Sequence, residues 1–281
     1  MKQAFKKIFN YKFHTKVFLN PFINFQKKNL GVNKDGRDLP VIISLTSYQD
    51  RFKCLPKTLY SLFNQDLKAD RVILWVDKNS IIPKCVKSFE KYGLEIKYVD
   101  DIRSYTKIIY ALEKYSSTSV IVTADDDIYY PKNWLELLYQ SYLEHPEDIH
   151  VHRAHRVLYD NGKILPYESW LKHVKEESAR FDNFITGVGG ALYPPNCFGK
   201  EVLNREVFLK NSPTADDVWL WVMSLYYKRK VRVVKNHIKT LTCTDLFLQL
   251  GFGKTLYAEN KLGNNDKQLK NLLEIYNETV I

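Results

Sequence analysis

The chain has 281 residues, 45% of them hydrophobic and 26% charged, with a formal net charge of +10. That length carries one large or two small domains with ample core, and the composition is ordinary for a soluble globular protein. No run approaches the ~20 apolar residues of a membrane span, and the N-terminus lacks the apolar core of a secretory signal. Cys54, Cys85, Cys197 and Cys243 are scattered without a C-x-x-C pair, which fits a reduced, cytosolic protein.

The positive charge is uneven. Residues 1–34 hold eight Lys and no acid, with aromatic and aliphatic residues between them. This basic aromatic arm, taken as residues 1–36, suits the anionic inner face of a membrane, at ~1 kcal/mol per basic residue. It equally suits an arm that packs on the domain with its lysines solvated. No DNA- or RNA-binding fingerprint appears, so nucleic acid is not an expected partner.

After the turn-rich Gly31–Gly36, Val41-Ile-Ile-Ser-Leu-Thr46 predicts a first strand. Leu55–Asn64 has apolar residues at helical spacing with Pro56 in its first turn. Arg71–Val76 is a buried strand, Pro83–Tyr92 a helix, Leu94–Val99 a strand, Thr106–Tyr115 a helix and 119–124 a strand. The alternation predicts a mainly parallel α/β sheet with helices on both faces. Ligands then bind beyond the carboxyl ends of the strands. Those ends carry Thr46-Ser47-Tyr48 with Arg51 nearby, Asp77, Asp100-Asp101 and Asp125-Asp126-Asp127. Three adjacent carboxylates at the mouth of a buried strand repel one another, and a hard divalent cation with a phosphate-bearing ligand relieves that. A solvated acidic turn capping the next helix is the plainer reading. No G-x-G-x-x-G or P-loop follows the first strand.

The second half reads differently. Pro131–Leu143 is a helix, and Asn161-Gly162 predicts an antiparallel hairpin between His150–Val157 and Lys163–Pro166. His150 and His152 share a strand face that His155 does not, so their spacing is poor for zinc. Arg153, His155 and Arg156 form either a charged edge strand or a contact for an anionic substrate group. Gly187, Gly189 and Gly190 either bring backbone N–H groups close to a ligand or make a tight turn. Thr214 is the expected N-cap of a buried helix whose first turn holds Asp216 and Asp217. Those acids satisfy the helix dipole, or one of them serves as a general base. Lys230–Lys235 predicts a strand leading to His237, and a tail with Asn260 ends in an amphipathic helix, Lys267–Tyr276.

From Pro40 to Tyr276 the chain resembles bacterial nucleotide-sugar glycosyltransferases of the GT-A fold, closest to those of lipopolysaccharide and capsular-polysaccharide clusters. The resemblance is carried by Ile43–Tyr48 with Arg51, Thr123–Pro131, Gly187–Pro194 and Ala215–Trp219. It implies one continuous domain, with a donor half at 37–131 and an acceptor half at 132–281. It implies nucleotide contacts at Thr46, Ser47, Tyr48, Arg51 and Asp77, and a diphosphate contact at Lys107. It places Mn²⁺ or Mg²⁺ on Asp125 and Asp127, with His237 as a further ligand, and turns Asp126 toward the ribose or sugar. Asp216 and Asp217, 89 and 90 residues after Asp127, correspond to an acidic pair that supplies the base in inverting members. Many members have Glu-Asp there; of this Asp-Asp pair, Asp217 is the expected base. Arg153, Gly189, Gly190 and Trp219 are expected on the acceptor side. The implied partners are a nucleotide diphosphate sugar donor and a glycan or glycolipid acceptor. The implied place is the cytoplasm, at the inner face of its membrane. A nucleotidyltransferase would need a glycine- and lysine-rich triphosphate loop that this chain lacks. A silent glycan-binding scaffold of the same fold is the non-enzymatic alternative.

Overall fold

The computed structural model describes residues 30–245 and 263–280, with side chains to 276. The basic arm before residue 30, and Asn260 in the tail, lie outside the described residues.

The first half follows the expected alternation. Strand β1 is Val41–Thr46, β2 Arg71–Asp77, β3 Leu94–Val99 and β4 Val120–Thr123. Helix α1 is Leu55–Phe63 and α3 is Thr106–Tyr115. The helix expected over Pro83–Tyr92 is instead a short α2, Lys84–Lys87, followed by a 3-10 turn at Glu90–Tyr92. Gly93 ends that segment at φ 101°, a left-handed conformation that glycine adopts without penalty.

Period-2 alternation explains why β1, β2 and β4 read as continuous apolar runs. Val41, Ile43 and Leu45 point to one core with Leu55, Leu59 and Phe63 of α1. Ile42, Ile73 and Trp75 point to the other with Ile108, Ile109 and Leu112 of α3. Both faces are covered, so each face must be hydrophobic. Fully burying each Val, Ile or Leu contributes about 1.5–3 kcal/mol.

Later strands extend the same sheet. They are β6 Ile149–Val151, β10 Ser178–Arg180, β12 Ala191–Tyr193 and β13 Val231–Val233. The eight-stranded order is β10-β13-β6-β12-β4-β1-β2-β3. Strands β4-β1-β2-β3 pair in parallel, while β12 runs antiparallel between β4 and β6. The fold is mixed α/β with a largely parallel centre and an antiparallel insertion on the side of the second half.

The long hairpin expected around Asn161-Gly162 is reduced to β8, Tyr159–Asp160, and β9, Lys163–Ile164. Asn161 and Gly162 do adopt the positive φ that such a turn needs, 48° and 76°. The arm before it divides instead: β6 joins the main sheet, and β7, Ala154–Arg156, pairs with β11, Asn183–Ile185. Burial decides this, because Val151, Ala154, Phe184 and Ile185 all enter one core.

Helix α4 is Trp134–Glu144, α5 Arg205–Asn211, α6 Asp216–Tyr226 and α7 Asn265–Val280. Leu269, Leu272 and Tyr276 of α7 pack into the core shared with α6. Thr214 does not cap α6 as expected. Its N–H donates to Gln268 Oε1 at 3.0 Å, and Ala215 occupies the N-cap without a side-chain bond. Among the described residues no helix is long and apolar enough to cross a membrane.

Candidate active site

The acidic triplet leaves the end of β4, and its three side chains take different directions. The Asp125 N–H donates to Tyr130 Oη at 2.8 Å, and Asp125 Oδ1 accepts from Lys107 Nζ at 2.8 Å. Asp126 turns inward and is 6% exposed. It accepts from Ser47 Oγ at 2.6 Å and from Arg51 Nη1 at 2.7 Å. Asp127 Oδ2 lies 3.0 Å from the same Arg51 nitrogen. Asp126 was expected to face the ribose or sugar. It is instead the buried anchor of the Thr46–Arg51 segment, because an inward carboxylate requires neutralising donors. Burial pushes its pKa up despite them. Burial first, and then Asp125, push Asp127 up to about 6. Burial opposes the charge on Arg51, but Asp126 and Asp127 outweigh it and raise its pKa.

Lys107 is the point where the two halves meet. Its ammonium is 2.8 Å from Asp125 and 3.1 Å from Asp216 Oδ2, and the residue is only 8% exposed. Burial would lower its pKa, but Asp125, Asp216 and Asp217 raise it well above the ordinary value. Asp216 Oδ2 is buried and makes no directed hydrogen bond, so the contact with Lys107 is one of charge. Beside it, Asp217 Oδ1 accepts the Gly187 N–H at 3.0 Å. Burial, followed by repulsion from Asp216, lifts the Asp217 carboxyl to about 8. A carboxylate with so raised a pKa has the proton affinity that a general base needs near neutral pH.

The turn that holds Asp217 is itself held by two residues that the sequence reading did not assign to the site. Trp134 Nε1 donates to Gly189 O at 2.8 Å, and Tyr130 Oη lies 3.4 Å from Val188 O. Their rings pack at a tilt of 38° with centroids 4.4 Å apart. The signal was present as the Tyr129-Tyr130-Pro131 edge and Trp134, directly after the acids. The glycines answer to this packing. A Cβ on Gly190 would sit 2.5 Å from Trp134, and one on Gly189 3.0 Å from Arg153. Both residues are buried, so the expected acceptor contacts of Gly189 and Gly190 are replaced by close approach to side chains.

The remaining candidates separate. Tyr48 is 56% exposed, with the Arg51 guanidinium 5.7 Å from its ring centroid. Thr46 Oγ1 donates to Trp75 O at 2.9 Å, and Asp77 Oδ1 accepts the Asn79 N–H at 2.9 Å, closing a local turn. Trp219, expected on the acceptor side, is fully buried. It donates to Val202 O at 3.1 Å and packs on Phe208 and Tyr276. Among the described residues no three His, Cys, Asp or Glu side chains gather as a metal cluster, so His237 does not join Asp125 and Asp127. His237 lies instead near His152, whose ring is bonded to Trp134 O and to the Ile238 N–H. Among the described residues, the late ones that reach the triplet are Thr242–Cys243, strand β14, which pairs with β5, Ile128–Tyr129, and Thr244, whose N–H donates to Asp127 O at 2.6 Å. His150, His152 and His155 each bond to different partners. Arg156 is committed to Asn183, Glu176 and Ser178.

A carboxylate-rich edge of a largely parallel sheet, joined through Lys107 to the acidic pair that opens α6, is the frame of a GT-A fold. Residues 42–209 match the family model of glycosyl transferase family 2, and the chain belongs to that family. A search of curated proteins gave no match. Among solved structures, S. aureus TarS 1–349 is similar at 13% identity and TM-score 0.49, over 85% of this chain and 72% of that one. The mannosyltransferase PcManGT from Pyrobaculum calidifontis, solved with GDP-Man and Mn²⁺, is similar at 15% identity and TM-score 0.35. That likeness spans 52% of this chain and 43% of the mannosyltransferase. A 4-diphosphocytidyl-2C-methyl-D-erythritol synthase is similar at 12% identity and TM-score 0.36, over 48% of this chain and 72% of that one. Likenesses at this level do not bear on function.

Proposed function

We propose that the protein transfers a sugar from a nucleotide diphosphate sugar to a hydroxyl of a glycan or glycolipid, with inversion, in the assembly of a surface polysaccharide. The observation that supports this most is the shared ammonium of Lys107. It brings Asp125 of the triplet and Asp216 of the later pair to one nitrogen, with Asp217 beside them. In this reading residues 37–131 hold the donor, residues 132–281 the acceptor, and residues 1–36 form the arm.

The donor set fits Mg²⁺ or Mn²⁺. Asp125 and Asp127 are the partly exposed members of the triplet, and with Asp126, Asp216 and Asp217 they set five carboxyl groups against the two cations Lys107 and Arg51. Mg²⁺ is commonly held by one or two carboxylates plus substrate phosphates, so a third protein ligand such as His237 is not needed. When bound, the cation would offset the charge that develops on the leaving diphosphate. The chain's own residues do the rest. Lys107 keeps Asp125 and Asp216 in fixed relation. The Gly187 N–H orients the Asp217 carboxylate, leaving its other oxygen to take the proton of the attacking hydroxyl. Asp126 holds the Ser47–Arg51 segment against the nucleotide side. Work at the inner face of the cytoplasmic membrane, with the lysine-rich arm on anionic lipid, completes the proposal.

The test is donor hydrolysis. Purified protein with Mn²⁺ and a panel of nucleotide sugars should release nucleotide diphosphate from one of them, and EDTA should stop it. Release that is indifferent to EDTA would remove the metal from the reading.

A further inference from the structure

We infer that the acceptor carries an anionic group, a carboxylate or a phosphate, that docks on Arg153, Lys172 and His173 beside the turn holding Asp217. The inference rests on the glycosyltransferase reading and names the substrate class of its acceptor side. Position is the first argument. Thr186 Oγ1 donates to Arg153 O at 2.9 Å, and the next residue, Gly187, donates its N–H to Asp217. Arg153 and the proposed base are thus attached to adjacent residues of one turn.

Charge is the second argument. Arg153 Nη2 is 3.3 Å from His173 Nε2, and His173 packs edge-on against His155 at 5.2 Å between ring centroids. The Lys172 ammonium lies 3.2 Å from the Tyr167 ring centroid and donates to Tyr167 O, and the same Tyr167 ring tilts against His155. Burial first, and then Arg153, Lys172 and His173, drive His155 down to about 3. Burial, Arg153 and Lys172 lower His173 as well. On the acidic side, Glu168 and Asp266 act on Lys172, and Asp266 accepts the Tyr167 N–H at 2.7 Å. Arg153 and Lys172 are the cations that act on His173, and an anion beside that ring is attracted by both.

Backbone strain is the third argument. His173 sits at φ 57° and is held there by its N–H bond to His155 Nδ1 at 3.1 Å. A non-glycine residue at positive φ costs free energy that the surroundings must supply. Here it carries the Lys172-His173 pair to the Arg153 side chain.

The experiment titrates wild-type protein with D-glucuronate, glucose 6-phosphate and neutral glucose, followed by NMR of the histidine rings. At least one charged sugar should bind about tenfold or more tightly than glucose, and its binding should weaken with added salt. Arg153→Gln and Lys172→Gln should each weaken it by about tenfold, while Lys210→Gln on the far helix α5 should not. Preference for glucuronate identifies a carboxylate, and preference for glucose 6-phosphate a phosphate. Equal binding of glucose, or unchanged binding in folded Arg153→Gln and Lys172→Gln proteins, overturns the inference. Wild-type donor hydrolysis is scored separately. Anion binding lost in the variants, without any hydrolysis by the wild type, would keep the anion site and reject the transfer reading.

Discussion

Two charge clusters meet at the carboxyl edge of the sheet, and they are built differently. Arg51, Asp126 and Asp127 come from the first half alone, with Ser47 completing the shell around Asp126. Lys107, Asp125 and Asp216 span both halves. The first cluster is closed and ties a loop to a strand end. The second joins the end of β4 to the start of α6, where Asp217 stands. Neighbouring carboxylates in a triplet can therefore serve opposite ends. The middle one is buried on Ser47 and Arg51, and its neighbours are partly exposed.

The comparison is broken or sharpened by four measurements. The largest effect is expected at Asp217. Asp217→Asn should lower turnover by about 10²–10⁴-fold with donor affinity near wild type, if the proposed base takes its proton in the transition state. Near-normal turnover would take Asp217 out of the role.

Asp126→Ala should cost about 3 kcal/mol in urea unfolding, because it removes a buried partner of Arg51 and leaves the Ser47 hydroxyl unpaired. Asp125→Ala should cost less, since the Asp125 side chain is 26% exposed against 8% for Asp126. Equal losses would erase the distinction between a closed and a spanning cluster.

Gly190→Ala should destabilise by about 1–3 kcal/mol, from contact with Trp134 and from a backbone at φ 87°. A melting temperature equal to wild type would show that the turn does not depend on that contact.

The smallest effect is a pH slope. Native Asp217, with its pKa raised to about 8, holds a proton that the unfolded chain releases near the ordinary carboxylate value of 3.8. Between those values the native state binds more protons, so stability from this group is full below about pH 4 and is lost as pH rises through about 8. Asp217→Asn should flatten that part of the stability curve. A slope unchanged in the variant would place the titration elsewhere.

The sequence by itself determined much of the first half. β1, β3 and α3 lie where their apolar patterns placed them, and β1 and α3 are covered on the faces that their own periodicity marks. The convergence of polar strand ends also followed from chain order, since a parallel α/β sheet brings its carboxyl ends to one edge. The acidic pair was legible in the first turn of α6.

Only the tertiary structure decided which acid faces where. Three adjacent aspartates look alike in sequence, and their burial depends on Ser47, Arg51 and Lys107, which lie 18 to 79 residues away. The second half was hard to read for the same reason. Its strands are two or three residues long, too short to show a period, and their pairing follows from which side chains share a core. Trp219 shows the cost of reading by motif: it adjoins the acidic pair in sequence, but helical geometry turns it into the core against Phe208 and Tyr276. Local periodicity is written in neighbouring residues. The choice between pairing with a cation and facing the cleft is made by residues that meet only when the chain has folded.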